Sequence, residues 1–183
     1  MKIYTRTGDT GTTGLLGGDR IAKDSPRITA IGEVDELNAS LGVAIAANPP
    51  SEIAGWINRI QSQLFDIGAE LACPVDSDYK IDRITPEDSE ELESEIDQME
   101  SKLSPLTNFI LPGGTAASAN LHLSRSICRR AERAVFNLSR SESVSTDLVT
   151  FLNRLSDWLF TAARASNAAA GVADEIWSRR ARK

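Results

Sequence analysis

The sequence predicts an all-α domain, a five-helix bundle preceded by an irregular glycine-rich loop. Three observations carry this expectation. Apolar residues recur at three- and four-residue spacing in five successive segments, each bounded by a helix breaker. No run alternates apolar and polar residues over the length of a strand. The stretch from Tyr4 to Gly18 is dominated by glycine and threonine, which suit neither a stable helix nor a core strand.

That stretch, Tyr4-Thr5-Arg6-Thr7-Gly8-Asp9-Thr10-Gly11-Thr12-Thr13-Gly14-Leu15-Leu16-Gly17-Gly18, comes first in the chain. Glycines leave backbone N–H groups uncovered, and successive uncovered N–H groups form a concavity for anions. Threonine hydroxyls add donors and contacts for Mg²⁺, and Lys23 supplies a full positive charge nearby. The segment therefore fits a polyphosphate-binding loop or a solvated terminus. It is not a Walker A loop, because no Gly-Lys-Ser/Thr follows the glycines, and it lacks the Gly-x-Gly-x-x-Gly spacing of a Rossmann unit.

The first helix follows Ser25-Pro26, with Ile28, Ile31, Val34, Leu37, Leu41 and Ala44 in register until Asn48-Pro49-Pro50 ends it. Glu33, Asp35 and Glu36 crowd this helix. Inside the fold Asp35 would need an arginine partner, which is the expectation here; on a wet surface it would need none. Ile53, Trp56, Ile57, Ile60, Leu64, Ile67 and Leu71 mark a second helix closed by Cys73-Pro74, followed by an acidic, turn-rich connection from Val75 to Ile84. Thr85-Pro86-Glu87-Asp88 provides a cap, a proline for the first position and acids for the first turn of a third helix carried by Leu92, Ile96, Met99 and Leu103. Phe109-Ile110-Leu111-Pro112-Gly113-Gly114 interrupts the pattern. A fourth helix is expected over 115–138 and a fifth over 146–170.

On the fourth helix, Leu121, Cys128, Ala131, Val135 and Leu138 share the expected core face. Beside them Arg125, Arg129 and Arg133 form a stripe at i,i+4 spacing, with His122 and Glu132 alongside and Ser124 and Ala131 flanking. Arginines stacked this way repel one another unless an anion meets them, and their planar forks suit phosphate or carboxylate. The alternative is a solvated charged face with Glu132 as local partner. The lone His122 reads as a satisfied polar contact, and it argues against a di-iron bundle, which would need two Glu-x-x-His motifs. On the fifth helix, Asn153 and Asp157 share a face away from Leu148, Leu152, Leu155 and Leu159, placed to orient the stripe or read a nucleotide.

Composition narrows the function classes. With 183 residues, 41% of them hydrophobic and 25% charged, the chain fits one globular domain with a sizeable core. A net charge of −6 argues against a nucleic-acid partner, the basic run Arg179-Arg180-Ala181-Arg182-Lys183 being read as a solvated terminus. No run is long and apolar enough for a membrane span, and no leader is expected. The two cysteines, Cys73 and Cys128, fall in buried-helix patterns, which sets a reduced, cytoplasmic location as the expectation. With one histidine far from both, no structural zinc site is expected.

Taken together, these segments resemble the PduO-type ATP:cob(I)alamin adenosyltransferases over nearly the whole chain. The resemblance rests on Thr5-Arg6-Thr7-Gly8-Asp9 with Lys23, on Val34-Asp35-Glu36-Leu37, on Phe109-Ile110-Leu111-Pro112-Gly113-Gly114, on Arg129-Arg130-Ala131-Glu132-Arg133, and on Phe151-Leu152-Asn153-Arg154-Leu155-Ser156-Asp157. It implies a single domain over 1–183, with an ATP-phosphate loop in 1–25, a bundle in 26–171 and a tail in 172–183. It also implies a homotrimer with sites between neighbouring subunits, ATP and Mg²⁺ as co-substrate and ion, and reduced cobalamin as acceptor. Thr5, Arg6, Thr7, Gly8, Thr13 and Gly14 would line the phosphates with Lys23. Arg129, Arg130, Glu132, Arg133 and Asn153 would complete the ATP site, and Asp35 would pair with Arg125 of the adjacent subunit. Phe109 would lie under the corrin as an apolar wedge that keeps axial ligands off Co(II). Few residues follow Trp177, so the segment closing over the corrin is expected to be short, with Trp177 as a candidate for that role. A reductase and a cobalamin-dependent acceptor enzyme are the further partners implied. Two other classes stay open at this point: an escort or regulatory binder of ATP and cobalamin with little turnover, and a structural bundle whose acidic faces dock a partner.

Overall fold

Prolines and capping side chains set the helix boundaries. In the computed structural model, which describes residues 3–4, 6–17, 20–73 and 79–178, the helices are α1 Pro26–Ala46, α2 Ser51–Ala72, α3 Pro86–Glu100, α4 Ala116–Leu138 and α5 Thr146–Ala169. Ser25 caps α1 through its hydroxyl and Pro26 occupies the first turn, where a missing N–H costs nothing. Thr85 and Asp88 form a reciprocal capping box at the start of α3. Thr115 caps α4 by accepting from the Ser118 N–H.

The sequence missed one element. Thr12–Gly14 (β1) and Arg20–Ala22 (β2) pair antiparallel, in the register Thr12 with Ala22 and Gly14 with Arg20. Strands of three residues are too short to show alternation. A side chain holds this hairpin: the Arg20 guanidinium donates to the Thr7 carbonyl at 2.6 Å and to the Thr12 carbonyl and hydroxyl at 3.0 Å. The Leu16 N–H, donating to the Ala72 carbonyl at 3.0 Å, ties the loop to the end of α2.

Helix α4 packs between α1 and α5, α2 lies against α1, and α3 lies against α5. The predicted face of α4 is the core face: Leu121, Cys128, Ala131, Val135 and Leu138 are all fully buried. Each buried leucine contributes about 1.5–3 kcal/mol over leaving it exposed. Trp158 of α5 is fully buried and donates its indole N–H to Glu95 at 2.7 Å, while Arg59 of α2 pairs with the same carboxylate at 2.9 Å, so one polar corner joins α2, α3 and α5. Both cysteines are buried, as read from the sequence, although Cys73 is the extended residue that ends α2 rather than a helical one.

Gly114 illustrates how the loop entering α4 is fitted. Its φ is +98°, and a Cβ built there would overlap the Asn167 carboxamide of α5. Gly114→Ala is expected to cost about 3 kcal/mol, combining strain at positive φ with overpacking. A denaturant midpoint unchanged from wild type would contradict this account.

Candidate active site

The N-terminal loop, α1 and α2 enclose a cavity of about 760 Å³, within the range of small-molecule pockets. Its lining brings together four residues singled out from the sequence, Thr13, Gly14, Lys23 and Asp35, with an apolar wall from α1 and α2 that includes Ile28, Ile31 and Phe65. Lys23 reaches its place because Gly8 has no side chain: a Cβ on Gly8 would lie 3.1 Å from the Lys23 ammonium. The Lys23 N–H also donates to the Gly11 carbonyl at 2.9 Å, and Gly11 itself takes φ +85°. Arg6 adopts a positive φ of 59°, unusual for a side-chain-bearing residue, and its guanidinium lies 5.4 Å from the Tyr4 ring centroid. Thr5 lies outside the described residues. Arg20, which closes the loop, and Asn38, buried at the cavity and donating to the Gln61 carbonyl at 3.1 Å, were missed by the sequence reading.

The arginine stripe lies elsewhere. The cavity lining contains no residue of α4 or α5. Among the described residues, Arg125, Arg129 and Arg133 form no ion pair, and the Arg125 Nε is buried without a hydrogen-bond partner. Glu132 forms no ion pair with them among the described residues; its carboxylate accepts from the Asn153 amide at 2.9 Å. Among the described residues the stripe is thus three cations without an ion-pair partner. Arg130 differs: it forms ion pairs with Glu33, at 2.5 Å, and with Glu36, so its charge is already met within the chain. Among the described residues no arginine pairs with Asp35; Asp35 is exposed, and the acids that gain an arginine are its neighbours. Asp157 is engaged by Arg154 at 2.9 Å rather than by the stripe, and both Asn153 and Asp157 are exposed rather than buried beside it.

His122 departs from the expected satisfied contact. It is buried, packs edge-on against Phe160, and neither ring nitrogen has a hydrogen-bond partner among the described residues. Burial, reinforced by the Arg125 charge and partly offset by Asp174, holds its pKa below 6.5. The unfolded chain therefore takes up a proton near pH 6.5 that the folded chain takes up only at lower pH. The stability this contributes is full above pH 6.5 and is lost as pH falls through the folded pKa. Because this is the chain's single histidine, its ring resonances report the effect directly. An NMR titration midpoint below 6.5 is expected, and a midpoint at or above 6.5 would refute it.

Phe109 stands on the loop between α3 and α4 and is 81% exposed. Its carbonyl accepts from the Trp177 N–H at 2.8 Å, and the two rings meet edge to face with centroids 6.5 Å apart. Among the described residues no group of three or more His, Cys, Asp or Glu is arranged to hold a metal ion. An Mg²⁺ ion carried on phosphate oxygens needs no such cage, and hydroxyls such as that of Thr13 suit its hard-oxygen preference. No helix among the described residues is long and apolar enough to cross a membrane.

The chain as a whole is similar to known proteins. Residues 3–166 match the family model described as cobalamin adenosyltransferase. A corrinoid adenosyltransferase of Bacillus subtilis (strain 168) is 43% identical, the alignment covering 99% of this chain and 94% of that protein. A cobalamin adenosyltransferase of Cupriavidus metallidurans is 42% identical over 97% of this chain and 95% of its own length. Among solved structures, a phenylalanine-to-alanine variant of a PduO-type ATP:corrinoid adenosyltransferase from Lactobacillus reuteri, complexed with cobalamin and ATP, matches with a TM-score of 0.93 at 36% identity, covering 97% of this chain and all of that one. An arginine-to-lysine variant from the same organism, complexed with ATP, matches with a TM-score of 0.91 at 37% identity, over 97% of this chain and 100% of its own. The chain belongs to the cobalamin adenosyltransferase family.

Proposed function

We propose that this protein transfers the 5′-deoxyadenosyl group of ATP to cob(I)alamin, releasing inorganic triphosphate, and that it does so as a homotrimer with sites shared between subunits. One observation supports the shared site above all. The phosphate-type loop, Lys23 and Asp35 line one cavity, while the uncompensated arginines of α4 lie outside it in the same chain. A neighbouring copy that lays its α4 across the cavity would supply both the missing cations and the partner for Asp35, through Arg125. Val43 on α1, Phe65 on α2 and Leu123 and Phe136 on α4 are large apolar side chains left exposed on a single copy, as an assembly surface requires.

The reaction needs little acid–base chemistry. Co(I) donates an electron pair to C5′, the Co–C bond forms as the C5′–O bond breaks, and triphosphate leaves with the bonding pair. Charge gathers on the leaving oxygens. Lys23, the loop N–H groups and Arg129 with Arg133 are fixed donors for that charge and need no reorganisation during the step. Mg²⁺ on the triphosphate would share the same work. The remaining task is to hold cobalt and C5′ in line, which is positioning. Asn153, through Glu132, steadies the helical side of the site. Before this step Co(II) must be reduced, and Phe109 would assist by denying the lower face an axial ligand. The electron comes from a reductase and the product passes to a cobalamin-dependent enzyme.

The test is an anaerobic spectral assay with chemically reduced cob(I)alamin, Mg-ATP and protein. Protein-dependent formation of a light-sensitive alkylcobalamin with stoichiometric triphosphate supports the reading. Binding of both substrates without conversion would favour an escort, and binding of neither would overturn the assignment. Sedimentation of the same sample measures the assembly.

A further inference from the structure

The loop that carries Phe109 has little regular structure of its own. Leu106, Phe109 and Leu111 are exposed, and a cavity of about 280 Å³ lies beneath the loop, lined by Leu103, Leu106, Ile110, Arg164 and Ile176 among others. Apolar packing therefore does not define its shape. Polar ties do, and they converge on one face of α5. Arg164, only 6% exposed, donates through Nη2 to the Ser104 carbonyl at 2.8 Å and through Nε to Asp174 at 2.8 Å. One turn further, the Asn167 amide donates to the Gly113 carbonyl at 3.1 Å and to Asp174 at 3.4 Å, while its oxygen accepts from the Thr115 N–H at 3.0 Å.

Arg164 and Asn167 thus hold the start and the end of the loop. Both also hold Asp174, the root of a C-terminal strap. That strap lies along the loop's midpoint: the Leu111 N–H donates to the Glu175 carbonyl at 2.7 Å, the Trp177 N–H donates to the Phe109 carbonyl, and Ile110 bridges to Ile176. Phe109 sits where the strap meets the loop.

We infer that Arg164 is a positioning residue for Phe109, acting with Asp174 as a clamp that locks the strap onto the loop and makes the wedge rigid. The inference rests on the cobalamin reading above. A planar fork can hold Ser104 and Asp174 together, and a lysine ammonium at the same place lacks that geometry. With the clamp released, Phe109 yields to an axial ligand, so reduction of bound Co(II) suffers while attack by preformed Co(I) does not.

The experiment uses the full chain with Asp174→Asn and, as a second variant that retains the charge, Arg164→Lys. Hydrogen exchange at the Leu111 and Trp177 amides is measured first, since it needs no turnover. Product formation is then followed from cob(II)alamin with reduced flavin as electron donor, and separately from preformed cob(I)alamin. Faster exchange at both amides with core amides of α4 unchanged, and a roughly ten-fold slower cob(II)alamin route beside a near-normal cob(I)alamin route, is the expected result. Unchanged exchange in both variants, or equal slowing on both routes, overturns the positioning role. Wild-type protein inactive from cob(I)alamin would instead overturn the function reading itself.

Discussion

Arg129→Ala is expected to lower turnover from preformed cob(I)alamin by about 10²–10³-fold, the usual consequence of removing one fixed donor to a leaving-group charge. Stability should hardly change. Arg129 is exposed and forms no ion pair among the described residues, and its loss relieves repulsion from Arg125 and Arg133 one turn away on either side. Surface changes of this kind fall within about 0.5 kcal/mol. Arg129→Lys should recover part of the rate, because charge returns without the bidentate fork. The measurement is a single-turnover rate beside a thermal melt and sedimentation. Normal turnover in a correctly assembled alanine variant would remove the phosphate role. The same substitution at Arg130 would not be equivalent, since that side chain joins α4 to Glu33 and Glu36 of α1 and its removal leaves those acids unpaired.

The contrast between Arg129 and Arg130 also marks where the sequence stops being informative. Helix boundaries were legible because proline and capping residues act locally: Ser25-Pro26, Thr85-Pro86 and Thr115 each stand where a helix begins. The buried face of α4 was legible because burial follows the helical period. Which cations are already neutralised was not, because it depends on which helix lies alongside. Glu33, Asp35 and Glu36 look alike in sequence; the register of α1 against α4 gives an arginine to the two glutamates and leaves Asp35 facing out. Arg20, which closes the N-terminal hairpin, carries no periodic signal, since its role depends on carbonyls brought round by a turn. Arg164 and Asn167 had a faint signal, polar residues three apart on a mostly apolar helix. Polar positions at helical spacing ordinarily read as a solvent face, whereas here both are buried under the Phe109 loop. The candidate site was legible as a set of residue types and, through the resemblance, as one shared between subunits; that the arginine stripe stands outside the loop cavity of its own chain emerged with the fold.

Phe109→Ala should separate the two halves of the reaction. The ring is 81% exposed and contributes nothing to the core, so the variant should fold normally and lose only the edge contact with Trp177. From preformed cob(I)alamin the rate should fall little, because Co(I) holds no axial ligand for the wedge to displace. From cob(II)alamin it should fall about a hundred-fold. If the retained axial ligand stabilises Co(II) by about 3 kcal/mol, reduction becomes unfavourable by two decades, each decade costing about 1.4 kcal/mol. The reduced state is then scarce and the adenosyl transfer waits on it. The visible spectrum of bound cob(II)alamin with Mg-ATP supplies a check independent of rate, since loss of the wedge should leave the ligand-bound form dominant. Equal loss on the two routes would mean that Phe109 serves general corrin binding. A selective loss that Arg164→Lys reproduces in weaker form would tie the wedge to its clamp, because a rigid phenylalanine can exclude a ligand that a mobile one admits.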